Sequence, residues 1–388
     1  MQNKCLMACF MVCVMPEADL IVQALLDPDR TSSLGYQQWD LLIRQGRRAN
    51  LLGKLAGCLA ENDLMGSVPD APHRHLISAL KMANRQDLAI RWEVSRIAKA
   101  MSLFGIDLIL LKGAAYVLAE LPCSRGRMFS DVDILVPKAR IIDAENALRI
   151  HGWQSGHHDE YDQRYYRQWM HEIPPMMHVR RGTTIDVHHA ILPETARIKV
   201  NTAALFKNVL PVNGFNNVFI LEPIDMVLHS ATHLFHEGEL DNGLRDLFDL
   251  DSMLRNFSRN EGFWTGLLPR ASELGLERPL FYAIRFASTL LSTPVPENLL
   301  HELSKAGPPF WGSHLMTACY KRALRPNHSS SSPRWTWLAR KALYIRSHWM
   351  RMPMGLLVRH LAHKTLISRR AETLEITVER ERDIQQNF

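Results

Sequence analysis

Residues Leu110–Val136 read LLKGAAYVLAELPCSRGRMFSDVDILV. The pattern predicts a strand ending near Leu111, a tight Lys112-Gly113 turn, a short helix, a loop, and a second strand carrying Asp131-Val132-Asp133. Side chains alternate along a strand, so Asp131 and Asp133 share one face while Val132 and Ile134 point into the core. Two carboxylates side by side on an apolar strand repel each other and resist burial unless a cation sits between them. Their oxygen donors suit a hard divalent ion such as Mg²⁺. Gly113 and Ala114 open the following helix, whose free N–H groups and positive dipole end offer a phosphate seat. Phosphate with Mg²⁺ points to nucleotide chemistry. A lone D-x-D or a lone Lys-Gly is common without any ligand, so the weight lies in their order within one strand–helix–strand unit.

A further stretch supplies another carboxylate. Ile173–Ile191 reads IPPMMHVRRGTTIDVHHAI. Arg180-Arg181-Gly182-Thr183 is a turn, and the strand after it places Ile185, Val187 and His189 on one face, with Asp186 and His188 on the other. Set beside the D-x-D strand, it would bring Asp186 to Asp131 and Asp133. Three converging carboxylates can hold two metal ions and help deprotonate a hydroxyl for in-line attack on phosphorus. The alternative for Asp186 is a charge on an edge strand facing water.

Three segments carry a family resemblance: Leu111-Lys112-Gly113-Ala114, Arg127 through Val136, and Ile185-Asp186-Val187-His188. Over about Pro16 to Leu254 the chain resembles the nucleotidyltransferase superfamily of DNA polymerase β type, and more closely a bacterial subgroup of uncharacterised nucleotidyltransferases. The resemblance implies an α+β fold, a polymerase β-like mixed sheet with helices, flanked by N-terminal and C-terminal helical regions. It implies Asp131, Asp133 and Asp186 as catalytic residues holding two Mg²⁺ ions, with Mn²⁺ as a substitute. The implied reaction moves a nucleoside monophosphate from an NTP such as ATP to an acceptor hydroxyl and releases pyrophosphate. Lys112, Gly113, Ala114, Arg127 and Ser130 are the corresponding nucleotide-binding positions. The chain departs from the wider superfamily in having Ala114 where serine or glycine is more frequent, and in a longer gap between Gly113 and Asp131.

The two cations near this unit have two readings each. Arg127 either clamps a phosphate through paired hydrogen bonds or pairs with one of the aspartates. Lys112 either touches the triphosphate or extends from the strand end toward water.

The chain has 388 residues, 46% hydrophobic and 22% charged, ample for a sizeable core and two or three subdomains. No apolar run reaches the ~18–20 residues of a membrane-spanning helix. None of the six cysteines forms a C-x-x-C pair, so neither a disulfide framework nor a zinc knuckle is expected. The expected organisation is 1–15 as a misplaced start or disordered leader, 16–104 as a helical lead-in, and 105–222 as the catalytic core. A helical domain over 223–325 and a basic helical tail over 326–388 follow. The apolar start after Lys4 has the look of a short signal segment, but Pro16, Glu17 and Asp19 stand where a small-residue cleavage site would be. The lead-in is either scaffolding or a lid over the site.

Pro137–His151 is expected to be an amphipathic helix with Ile141, Ala144, Ala147 and Leu148 inward and Gly152 at its end. Trp153–Trp169 reads as a polar surface loop whose His157, His158, Tyr161, Tyr165 and Tyr166 are also candidates for stacking on a base. His229, His233 and His236 share a helix face at metal-ligand spacing, though a buried, hydrogen-bonded face explains them as well. Arg245, Asp246 and Asp249 read as an ion-pair network.

Between Lys321 and Ala371 there are twelve Lys or Arg and no Asp or Glu, with Trp335, Trp337 and Trp349 interleaved. The Asn327–Pro333 linker lies at the start. Such a block suits a solvated face, an anionic membrane surface, nucleic acid or an acidic partner. The expected setting is cytoplasmic, with peripheral contact at the inner membrane face through Lys321–Ala371. The acceptor is open among a sugar, a small molecule, a protein and RNA. Two other readings remain: an inactive nucleotide-binding or scaffold protein at a membrane or polysaccharide-synthesis complex, and an RNA-modifying nucleotidyltransferase using the basic block.

Overall fold

The D-x-D strand lies at the middle of the sheet because its apolar residues are needed there. In the computed structural model, β2 (Asp131–Leu135) buries Val132 and Ile134 and is flanked by β1 (Leu108–Leu110) and β5 (Thr184–His188). The structure describes residues 19–156, 166, 167, 169–236, 238, 240–353 and 355. Seven strands form one mixed sheet in the order β3-β4-β5-β2-β1-β7-β6, where β3 is Trp153–Ser155, β4 Met176–His178, β6 Val209–Pro211 and β7 Val218–Leu221. β2 runs parallel to β5 and antiparallel to β1, and β1 runs parallel to β7. The Arg180–Thr183 turn joins β4 and β5 as an antiparallel hairpin.

Helices surround this sheet. The lead-in is helical, as its periodicity predicts: α1 (Leu20–Leu26), α2 (Tyr36–Arg48), α3 (Leu52–Glu61) and α4 (Asp70–Ser102). α4 runs 33 residues and buries Leu76, Ala83, Ile90, Val94, Ile97 and Met101 at helical spacing. α5 (Lys112–Leu118) follows β1 directly, and α6 (Ile141–Ile150) buries Ala144, Ala147 and Leu148. Gly152, at φ +97°, adopts the left-handed conformation that ends α6.

After the one-turn α7 (Thr202–Leu205) come α8 (Pro223–His236), α9 (Gly243–Phe257), α10 (Phe263–Leu274) and α11 (Glu277–Leu291). They are followed by α12 (Glu297–Ala306), α13 (Phe310–Ala323) and α14 (Thr336–Arg351). Buried apolar residues from Ile21 to Leu343 form a single continuous core. No helix among the described residues is long and apolar enough to cross a membrane.

Two expectations change. Trp153 is not a surface anchor: it sits in β3, fully buried, because the pairing Trp153↔His178 turns its ring inward. There the His178 ring meets it edge-on and the Arg181 guanidinium stands 4.8 Å from the ring centre. The Asn327–Pro333 segment is not a loose linker either. Gln45 on α2 donates hydrogen bonds to Ser330 Oγ and Ser331 Oγ at 2.9 and 3.0 Å, and Ser331 is buried. Of the proposed stacking residues, His157, His158, Tyr161 and Tyr165 lie outside the described residues, as do residues 1–15 and nearly all of the tail beyond 353.

Candidate active site

The parallel register of β2 and β5 sets Asp133 opposite Asp186, with Asp131 two residues along on the same face of β2. Lys112 Nζ and His188 Nε2 both contact Asp133 Oδ1, at 3.1 and 3.0 Å. Burial works against the Asp133 charge, but Lys112 and His188 outweigh it and hold this carboxyl well below the usual carboxylate range. The other two acids move the opposite way. Burial and the neighbouring Asp133 push Asp131 up, even though the Ser130 hydroxyl bonds it. Burial, then Asp133, Glu172 and Asp131, push Asp186 up to about 7.

These carboxyls are short of positive charge. Asp186 Oδ1 is buried with no hydrogen-bond partner among the described residues. An orphaned carboxylate oxygen beside two more carboxylates is the donor set that an oxygen-preferring divalent cation completes. The residues present therefore fit Mg²⁺.

Asp131 and Asp133 line a cavity of about 270 Å³, together with Lys112, Gly113, Tyr116, Arg127 and Ser130. Ser230 and His233 from α8, and Asp241, Asn242, Arg245, Asp246 and Asp249 at and within α9, complete the wall. Asp186 is outside this lining set and joins the cluster through its register with Asp133. Ala114 is buried in the core, one residue behind Gly113 in α5. α5 is only seven residues long, so its macrodipole is small, and charge balance in the cavity falls to side chains. Lys112 carries a left-handed backbone, φ +43°, which a residue with a Cβ adopts only at a cost of about 1–3 kcal/mol.

Arg127 lines the cavity, and its acidic partners lie on α9 and not on the D-x-D strand. Its guanidinium is buried, with Nε donating to Asp249 Oδ2 at 2.7 Å and Nη2 lying 3.9 Å from Asp246 Oδ1. Burial opposes its charge, but Asp249 and Asp246 overcome that and keep it protonated. Lys54 on α3 donates to the other Asp249 oxygen at 2.9 Å, and Arg245 pairs with Asp246 at 2.7 Å. The network read from Arg245, Asp246 and Asp249 thus exists, and it extends to Arg127 and to the helical lead-in.

Close backbone approach explains two glycines. A Cβ on Gly113 would lie 2.6 Å from both Arg127 Nη1 and Phe129 Cδ1. Gly126, at φ +66°, packs backbone to backbone on Gly53 at the start of α3. Gln86 on α4 accepts the Phe129 N–H at 2.8 Å. The loop entering β2 is therefore fixed from two helices of the lead-in.

The uncharacterised nucleotidyltransferase family matches residues 36–292. The chain belongs to this family. That span runs from α2 to α11 and contains every cavity residue above, so membership makes the chain a transferase acting on nucleotides. A solved structure, that of an antigenic nucleotidyltransferase-like protein from Paracoccidioides brasiliensis, is similar at 16% identity. The likeness covers 55% of this chain and 96% of that one, with a TM-score of 0.30. No curated protein matches the chain.

Within the family span, sequence reasoning had missed Lys54, Tyr116, Ser230, Asp241 and Asn242 as site neighbours. A signal for the α8 residues was present. His229, Ser230, Thr232 and His233 form a polar stripe on a helix that otherwise reads as core, and buried polar stripes usually face something. His229 is buried and pushed down to about 3 by burial and by Lys112 and His233, so it stays neutral beside the site.

Proposed function

We propose that this nucleotidyltransferase is Mg²⁺-dependent and transfers a nucleoside monophosphate from an NTP to an acceptor hydroxyl. The observation that carries the reading is the Asp131, Asp133 and Asp186 cluster: three acids on two paired strands, two raised in pKa, one with an orphaned buried oxygen. These three would hold the metal, which supplies charge neutralisation for the triphosphate and activation of the acceptor oxygen. The hydroxyl oxygen attacks the α-phosphorus, the bond to the bridging oxygen breaks, and pyrophosphate leaves with its electron pair. Asp186 helps to take the hydroxyl proton.

The cavity divides the remaining work. Lys112 orients Asp133 and adds positive charge near the phosphates. Ser230 and His233 offer polar contacts from α8. Arg127 acts by holding the α9 wall in place, and Arg245 is the cation of that wall nearest to Asp246. Catalysis of this kind is mainly positioning and electrostatics.

The test is binding of ATP, GTP, CTP and UTP with and without Mg²⁺, followed by pyrophosphate release in an acceptor screen. Mg²⁺-dependent binding of a nucleotide by the wild type, lost in Asp131→Asn/Asp186→Asn, supports the reading. Equal binding by that variant would overturn it.

A membrane-surface contact is favoured by α14. Trp337, Leu338, Tyr344, Ile345 and Trp349 are exposed on a helix that also exposes Lys341, while its Arg340 and Arg346 turn inward to the Arg325 and Phe235 carbonyls. Exposed aromatic and aliphatic side chains beside a lysine suit an anionic lipid surface.

A further inference from the structure

His171, Glu172 and His188 form a second group of ligating side chains, and none of them lines the cavity. The backbone brings them together. Glu172 and His188 face each other through an isolated antiparallel bridge, and the His189 N–H donates to the His171 carbonyl at 2.8 Å. One ligand atom from each of the three lies within 4.8 Å of the others. Both histidines are buried, with ring centres 5.3 Å apart.

The spacing within the cluster is that of a coordination site. His188 Nδ1 lies 3.3 Å from Glu172 Oε2. Two ligands bound at about 2.0–2.1 Å to a tetrahedral ion stand about 3.3 Å apart, so this pair already has the required separation. Bringing the third ligand from within 4.8 Å to the same separation asks for a shift of up to about 1.5 Å. The other nitrogen of His188, Nε2, points at Asp133 Oδ1 from 3.0 Å. Metal-bound imidazoles usually give their second N–H to a carboxylate, which fixes tautomer and ring orientation. Asp133 occupies that place.

We propose that His171, Glu172 and His188 bind a transition-metal ion of the Zn²⁺ class, separate from the ion held by Asp131, Asp133 and Asp186. Two imidazoles and one carboxylate suit Zn²⁺ or Co²⁺, whereas Mg²⁺ takes an all-oxygen set. With three protein ligands the ion keeps a fourth position for water or another donor. Bound there, it holds His188 with the proton on Nε2, and so holds Asp133 by one oxygen. One cation site thereby orients a ligand of the other.

The experiment uses the full chain stripped of metal, at about pH 8 so that the imidazoles are free to bind. Co²⁺ is the probe, because its visible bands report nitrogen coordination. The background is Asp131→Asn/Asp186→Asn, which removes the oxygen site but leaves all three proposed ligands and Asp133. The expected result is one Co²⁺ per chain with bands of a nitrogen-bound ion, undisturbed by excess Mg²⁺ and displaced by Zn²⁺. His171→Gln and Glu172→Gln in that background are each expected to weaken binding by at least about tenfold. Glu172 is partly exposed and outside the core, so Glu172→Gln stays informative if the histidine variant fails to fold. No Co²⁺ uptake by the background chain, or uptake unaffected by Glu172→Gln, would overturn the proposal. The cluster would then be a protonated His188 bridging Asp133 and Glu172.

Discussion

Asp133 and Asp186 stand opposite one another across the parallel β2–β5 pairing, yet their ionisation is driven in opposite directions. Lys112 and His188 contact Asp133, while at Asp186 burial and the neighbouring acids outweigh the attraction of His188. Asp131→Asn and Asp186→Asn should each lower turnover by about 100-fold or more, while leaving the fold intact. Nucleotide-dependent pyrophosphate release, alongside circular dichroism, measures both. Without metal, the same variants should melt higher than the wild type, since each removes a carboxylate that costs stability when ionised.

The pH dependence has a definite sign. Asp186 titrates near 3.8 when unfolded and at about 7 when folded. Between these values the folded chain holds a proton that the unfolded chain has lost, so this group's contribution to stability falls as pH rises through the window. His229, pushed down to about 3, acts in the opposite sense below its ordinary value. The clean readout is therefore a difference. From about pH 5 to about pH 8, the metal-free wild type should lose more thermal stability than Asp186→Asn, by about 2 °C or more. Excess Mg²⁺ should shrink that gap. No gap would show that Asp186 is ionised without a cation, since a carboxyl ionised in both states gives no slope over this range.

Arg127 is buried against Asp249, so removing one partner strands the other. Arg127→Ala is expected to cost about 3–5 kcal/mol in denaturant unfolding. Arg127→Met/Asp249→Leu, which removes both charges but leaves Lys54 and Asp246, should recover part of that loss. If Arg127→Ala were neutral to stability, the buried pair would not be holding the α9 wall.

The glycines separate close approach from simple helix propensity. Gly113→Ala should cost about 1–3 kcal/mol, because the new methyl meets Arg127 and Phe129. It should weaken nucleotide binding as well. Gly57→Ala on α3, with nothing within 4 Å of the added carbon, should be neutral or stabilise by up to about 1 kcal/mol. Thermal melts of the two variants give the comparison.

For α14, Trp337→Ser/Ile345→Ser should reduce co-sedimentation with anionic vesicles and leave nucleotide binding unchanged. Equal sedimentation of wild type and variant, or none by either, would remove the membrane contact.

Local pattern carried the sheet centre and its acids. Alternation around Val132 and Ile134 set the face of Asp131 and Asp133, and the Arg180–Thr183 turn announced the strand that brings Asp186 alongside. What stayed hidden was set by distant packing. Nothing near Arg127 in the sequence points to Asp249, 122 residues away, or to Lys54 on the other side of it. Trp153 was misread because a three-residue strand is too short to show alternation, and its burial comes from His178 and Arg181. The pairing of His171 and Glu172 with His188 was equally silent, since an isolated bridge leaves no periodic trace.

Asp249 receives Arg127 from the loop before β2 and Lys54 from α3, and it belongs to neither segment. The D-x-D unit is consequently not a detachable module. A fragment excised at 105–222 would carry the D-x-D strand but leave Arg127 without Asp246 and Asp249, and the cavity without the side that α8 and α9 supply. Grafting the D-x-D unit into another scaffold would meet the same obstacle. Any change that loosens α3 or α9 should register at the nucleotide cavity before it registers in the sheet.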